Sequence, residues 1–307
     1  MSDAAAQVGL PPVTPEEDHK VGKGKGRAFL GIPVVGWMLI FFGIPYFLLF
    51  LQSLWEPTAF GVSHNWNLQN YKLVFFGDSL SGNIYLPTLL RSLKVGAMVT
   101  VFSTLLAFPI AYLLAFKIAN SRTRLMLYVL VIVPLWASYL LRAYAWKVIL
   151  GQNGLLGSVL DKVGLENTFL NNLLYSQAAV VITMTHIFTP FMILTIYAVL
   201  ERLPPSLIEA SKDLGVGRVK TFLTLVVPLS LPGVIAGATF TMGLSSGDFV
   251  APQLVGGKND VMIANQVYSQ FGATNNWPLG SAIAFVLLGF VAILVAISTQ
   301  AEKREQL

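Results

Sequence analysis

The chain has 307 residues, of which 55% are hydrophobic and 11% charged, with a formal net charge of +5 and a mean hydropathy of +0.67. Soluble domains carry roughly 25% charged residues, so this composition excludes an ordinary soluble protein and points to a polytopic membrane protein. There is no cysteine, which excludes a disulfide framework, thiolate metal sites and a cysteine nucleophile. Three histidines and few clustered acids predict no metal site.

Residues 1–27 form a polar segment with Glu16, Glu17 and Asp18 followed by Lys20, Lys23, Lys25 and Arg27. It is too long and too acidic for a simple signal peptide, and no small-residue cleavage site follows it. It reads as a disordered cytoplasmic tail. Apolar runs then predict six spans, roughly 28–54, 89–116, 125–150, 177–200, 221–246 and 279–300. They make an all-α transmembrane domain over 28–300, closed by a short cytoplasmic tail at 301–307. Pro45, Pro109, Pro134, Pro190, Pro228 and Pro232 fall inside these spans. Each removes a backbone hydrogen bond and permits a kink. No internal repeat and no Walker phosphate loop is present.

The positive residues orient the spans. Thirteen of the twenty Lys and Arg fall on the N-terminal side: four in the tail, then Lys117, Arg122, Arg124, Arg202, Lys212, Arg218, Lys220, Lys303 and Arg304. The opposite loops hold Lys72, Lys162 and Lys258. The positive-inside rule therefore places both termini in the cytoplasm. Trp55, Trp146 and Trp277 fall at outer span ends and Trp66 in the first outer loop, as interfacial anchors do.

Between the fourth and fifth spans lies a polar segment that predicts its own short helix, about 206–214. Ser206 and Glu209 fit a capping box. Pro204 and Pro205 stop the preceding span, and Gly215 supplies a C-terminal stop. Leu207, Ala210 and Leu214 make an apolar face at helical spacing, with Ser211 beside it. Small residues there admit a partner surface, and Glu209, Lys212 and Asp213 can fix its register. On these grounds alone, a docking helix and an ordinary interfacial helix stand equally open.

The stretch Glu209-Ala210-Ser211-Lys212-Asp213-Leu214-Gly215, with Phe222, Val227-Pro228 and Leu231-Pro232-Gly233, resembles the EAA loop of binding-protein-dependent ABC importer permeases. Ser211 replaces the second alanine of that pattern and Val227 stands where leucine is usual. Leu135–Trp146, Ile149–Leu155 and Gly247–Gly257 resemble segments of spermidine/putrescine-type permeases. The resemblance implies a type I importer fold with six transmembrane helices, kinked spans and a cytoplasmic coupling helix within about 204–220. It implies that Leu207, Glu209, Ala210, Ser211, Asp213, Leu214 and Gly215 couple to an ATPase. It further implies no catalysis and no cofactor in this chain, with ATP and Mg bound by the partner. The implied partners are a second homologous permease, two ATP-binding subunits, a periplasmic solute-binding protein and the lipid bilayer, with no nucleic acid. The implied place is the bacterial inner membrane and the implied solute a polyamine. Close relatives handle opines, amino-acid-like solutes or phosphonates. An ion-coupled secondary transporter would need paired intramembrane ionisable groups or inverted repeats, and neither is evident. A membrane-embedded enzyme would need clustered His or acids facing one side, and none is seen.

Charges within a membrane are costly and mark candidate sites. Asp248 can pair with an ammonium group, with Tyr139, Tyr144, Trp146 and Phe249 adding cation–π contacts, or it can pair with Arg142 and fix the fold. His186, beside Thr185 and Thr189, reads as a hydrogen-bonded structural histidine rather than a proton relay. The outer segment 258–271 predicts a short helix of unassigned role.

Overall fold

The computed structural model describes residues 33–58, 61–78, 82–151, 154–162, 173–204 and 206–305. The predicted tail 1–27, the start of the first span, Gln152, Asn153, Pro205 and the last two residues lie outside these. The chain divides into two compact units, Met1–Leu48 and Leu49–Leu307.

Among the described residues, five helices are long and apolar enough to cross a membrane. They are α1 (Pro33–Ser53), α3 (Tyr85–Phe116), α7 (Gln177–Leu200), α9 (Arg218–Ser246) and α12, which crosses over Trp277–Gln300. Between α1 and α3 lie a two-stranded antiparallel ribbon, Glu56–Thr58 paired with Gly61–Ser63, and the short helix α2 (Gln69–Phe76). Four predicted spans thus end within a few residues of their expected limits, and the described part of the first agrees with its prediction.

The third predicted span, 125–150, is not one helix. It breaks into α4 (Ser121–Trp136) and α5 (Tyr139–Leu150), and the segments Ser121–Trp136 and Tyr139–Ser158 are bent by 92°. Pro134 withholds one N–H from the last turn of α4. Ala137 and Ser138 then adopt extended backbone, with ψ of 140° and 135°, which ends the helix and redirects the chain. Counted as one broken span, this pair makes the sixth crossing.

Two prolines act in a second way. A π-turn at Leu39–Gly43 ends two residues before Pro45, and another at Phe222–Val226 ends two residues before Pro228. A proline ring clashes with the carbonyl four residues back, here Phe41 and Thr224. Widening the turn relieves the clash. The N–H groups of Ile44 and Val227 accordingly reach back five residues, to the carbonyls of Leu39 and Phe222.

The core of the second unit is α7, flanked by α3 and α9. Its central place follows from burial, since 61% of its apolar window is covered, against 28% for α3 and α9. α3 runs parallel to it and α9 antiparallel. Close approach depends on small residues: a Cβ on Gly96 would lie 2.5 Å from Ser246 Oγ, and one on Gly237 only 2.3 Å from Thr195 Oγ1. Buried clusters follow the bundle. Val74, Tyr85, Leu89, Ile263 and Ile283 fill one end, Val99, Ala143, Met184 and Ala251 the middle, and Leu114, Ile196, Leu200 and Val226 the other end.

Candidate coupling helix and pathway residues

The short polar helix exists as α8, Ser206–Asp213. Gly215 stops it with a left-handed φ of 74°. Val216 N–H donates to Ser211 O at 3.0 Å and Gly215 N–H to Lys212 O at 2.8 Å, the two bonds of a Schellman ending. The start differs from expectation. Ser206 is the first helical residue rather than the cap, and among the described residues no bond links its hydroxyl to the Glu209 segment. The predicted capping box is not seen among the described residues; Leu207 N–H donates to Pro204 O at 3.1 Å.

α8 lies where α3 ends and α9 begins. Ile208 packs inward against the cluster that holds Leu200 and Val226. Leu207, Ala210 and Leu214 are exposed, Leu214 to 82%, as are Glu209, Lys212, Asp213 and Gly215. The predicted apolar face is therefore real and turned away from the bundle. Ser211 does not share it. Its hydroxyl lies 2.7 Å from that of buried Thr221, because residue 211 falls on the same helical side as Ile208.

Asp248 lies two residues past the end of α9, after Gly247, and is buried. Tyr139, the first residue of α5, donates its hydroxyl to Asp248 Oδ2. Val250 N–H donates to Asp248 Oδ1 at 2.8 Å, opening the helix α10 (Val250–Val255). The predicted Asp248–Arg142 pair is not formed. Arg142 Nη1 donates to Ile187 O at 3.3 Å, and its buried Nε has no partner among the described residues. A neutral phenol satisfies the carboxylate without burying a second charge beside it, which spares a desolvation cost.

The other pathway candidates separate. Phe249 stacks on Tyr268 at 5.1 Å and 11°. Asn265 Nδ2 donates to Phe249 O at 2.8 Å. Tyr144 lies with Leu140 and Val148 on the exposed side of α5, away from the Tyr139 face. Trp146 meets His186 edge-on at 5.4 Å. His186 is exposed and carries no hydrogen bond among the described residues, contrary to the hydrogen-bonded histidine expected. Both rings line an apolar groove of about 740 Å³ with Phe102, Leu105, Pro134 and Val181.

Sequence reasoning missed Asn265 and Tyr268. They lie three apart in α11 (Ile263–Gly272), hence on one face, and that spacing was the available signal. This segment is sewn to the start of α3: Ile263 N–H donates to Ser92 Oγ at 2.7 Å, and Arg91 donates to Asn259 O. Among the described residues no three His, Asp or Glu side chains gather as a metal would require.

Residues 104–304 match the family described as binding-protein-dependent transport system inner membrane component. The chain belongs to this family. It is 37% identical over 294 residues to the inner membrane ABC transporter permease protein YdcU of Escherichia coli K12, covering 91% of this chain and 90% of that protein. It is 30% identical over 273 residues to the spermidine/putrescine transport system permease protein PotB of the same strain, covering 89% and 96%. A bacterial ABC transporter involved in import of the acidic polysaccharide alginate shares its fold, with a TM-score of 0.70 at 15% identity, covering 91% and 94% of the two chains. The MetNI methionine ABC transporter in an inward-facing conformation superposes with a TM-score of 0.55 at 18% identity, covering 72% and 95%. The permease thus has the type I ABC importer fold. It is a transport subunit of the inner membrane and not an enzyme.

Proposed function

We propose that this permease imports a polyamine such as spermidine or putrescine, handed over by a periplasmic binding protein and driven by ATP hydrolysis on separate subunits. In this reading two ATP-binding subunits dock on α8 and on the equivalent helix of a second, homologous permease. ATP and Mg²⁺ bind to those subunits. The α8 end, rich in Lys117, Arg122, Arg124, Arg202, Lys212, Arg218 and Lys220, faces the cytoplasm with both termini, in keeping with the positive-inside rule.

The observation that carries the reading is the outward-turned apolar face of Leu207, Ala210 and Leu214 beside Glu209 and Asp213. An isolated chain gains nothing by exposing it; a partner groove does. Gly215 fixes where the helix ends, and Leu207, Ala210 and Leu214 with the flanking carboxylates supply the contact.

For the solute, Asp248 supplies a buried carboxylate. Phe249, the next residue, stacks on Tyr268, and together these groups offer an ammonium both charge and cation–π attraction. Similarity to PotB over 89% of the chain supports the same solute class. A second reading, import of an anionic solute such as a phosphonate, is favoured by the partnerless buried Nε of Arg142. Uptake of labelled spermidine by the reconstituted importer separates the two. The polyamine reading expects Asp248→Asn to abolish uptake and Arg142→Gln to spare it. The reverse pattern would support the anion.

A further inference from the structure

The α8 end carries a second feature that docking does not explain. Beside α8 lies a cavity of about 420 Å³ with two chemically distinct zones. Its rim holds Lys117, Lys212 and Arg218, opposed by the single carboxylate of Glu209. Among the described residues none of the three cations has an ion-pair partner. Its floor is Tyr112, Phe116 and Phe222, with Tyr112 and Phe222 meeting edge-on at 5.4 Å and 89°.

The position of the two zones is set by the spans themselves. Lys117 follows the last residue of α3 and Arg218 is the first of α9, so the cationic rim sits where the membrane meets water. Tyr112 lies five residues before Lys117, about 7.5 Å deeper at the rise of a helix. The aromatic floor is therefore at the depth of the glycerol and first acyl carbons. A free phosphate would engage the rim and leave the floor unused. An anionic amphiphile fills both.

We propose that this cavity binds the headgroup of an anionic phospholipid, its phosphate on Lys117, Lys212 and Arg218 and its glycerol and upper acyl chain on Tyr112, Phe116 and Phe222. The proposal does not depend on the transported solute. It makes the lipid a bridge between the end of α3, the start of α9 and α8, the elements that would move together when an ATPase pushes.

The test uses the complete importer, purified in detergent and offered equal amounts of phosphatidylglycerol and phosphatidylcholine, with retained lipid read by native mass spectrometry. Wild type should retain phosphatidylglycerol selectively. K117Q combined with R218Q should weaken retention about 30-fold, as expected for losing two interfacial cations. K117R combined with R218K should retain it, which separates charge loss from misfolding. Equal retention of the two lipids, or undiminished retention in the neutralised variant, would overturn the proposal. So would displacement of the lipid by inorganic phosphate alone, which would mark a free-anion site. No retained lipid in this complete importer, with Lys117 cross-linking to a carboxylate of an ATP-binding subunit, would assign the rim to the protein partner instead.

Discussion

The hydroxyl of Ser211 lies 2.7 Å from that of Thr221, so the short polar helix α8 is tied to the first turn of a membrane span. Thr221 is only 4% exposed and also donates to Gly217 O at 3.2 Å. Ser211→Ala should remove the link and leave Thr221 its backbone bond. The cost should be about 0.5–1.5 kcal/mol. Amide hydrogen exchange over 206–214 should accelerate, while exchange in α7 stays unchanged.

Gly215 makes a sharper prediction about the same helix. A Cβ there would meet nothing within 4 Å, but φ is +74°. Gly215→Val should therefore act by backbone strain alone, costing about 1–2 kcal/mol, and Gly215→Asn should cost less. Thermal melting of the two purified variants checks the order.

The packing of α9 on α7 predicts a different kind of damage. At Gly237 a Cβ would lie 2.3 Å from Thr195 Oγ1 and 2.6 Å from Met192 Sδ. Gly237→Ala should cost about 1–3 kcal/mol by overpacking, whereas Gly289→Ala, with open space around it, should be nearly silent. Detergent-resistant melting temperature distinguishes them.

The spans were legible because length and apolarity settle them: α7 falls on its predicted 177–200 limits. Gly215 was legible because its backbone freedom is a local property. What the sequence hid was directional. The extended pair Ala137-Ser138 carries no glycine and reads as continuous helix, yet it turns the chain and thereby aims Tyr139, not Arg142, at Asp248. Ser211 reads as part of the docking surface because it is small and sits beside the apolar face, and only the hydroxyl of Thr221, ten residues on, draws it inward. The π-turns were hidden too, although both stand two residues before a proline.

Tyr139→Phe tests the redirected pairing. It removes the only side-chain donor to buried Asp248 among the described residues and leaves Val250 N–H in place. Stability should fall by about 1–3 kcal/mol, while Arg142→Gln should not disturb Asp248. Melting of each single variant and of the Tyr139→Phe/Asp248→Asn double variant gives the coupling directly: the two should be strongly non-additive.

The central claim is that α8 carries ATP-driven motion into this permease. Its most direct test is solute uptake and ATP hydrolysis measured together in the reconstituted importer carrying Glu209→Ala. Glu209 is exposed, on the edge of the cavity beside α8 rather than in the buried core, so the permease should fold and insert normally. The account predicts that uptake is lost while the assembled subunits remain intact; wild-type uptake with normally stimulated ATP hydrolysis would contradict it.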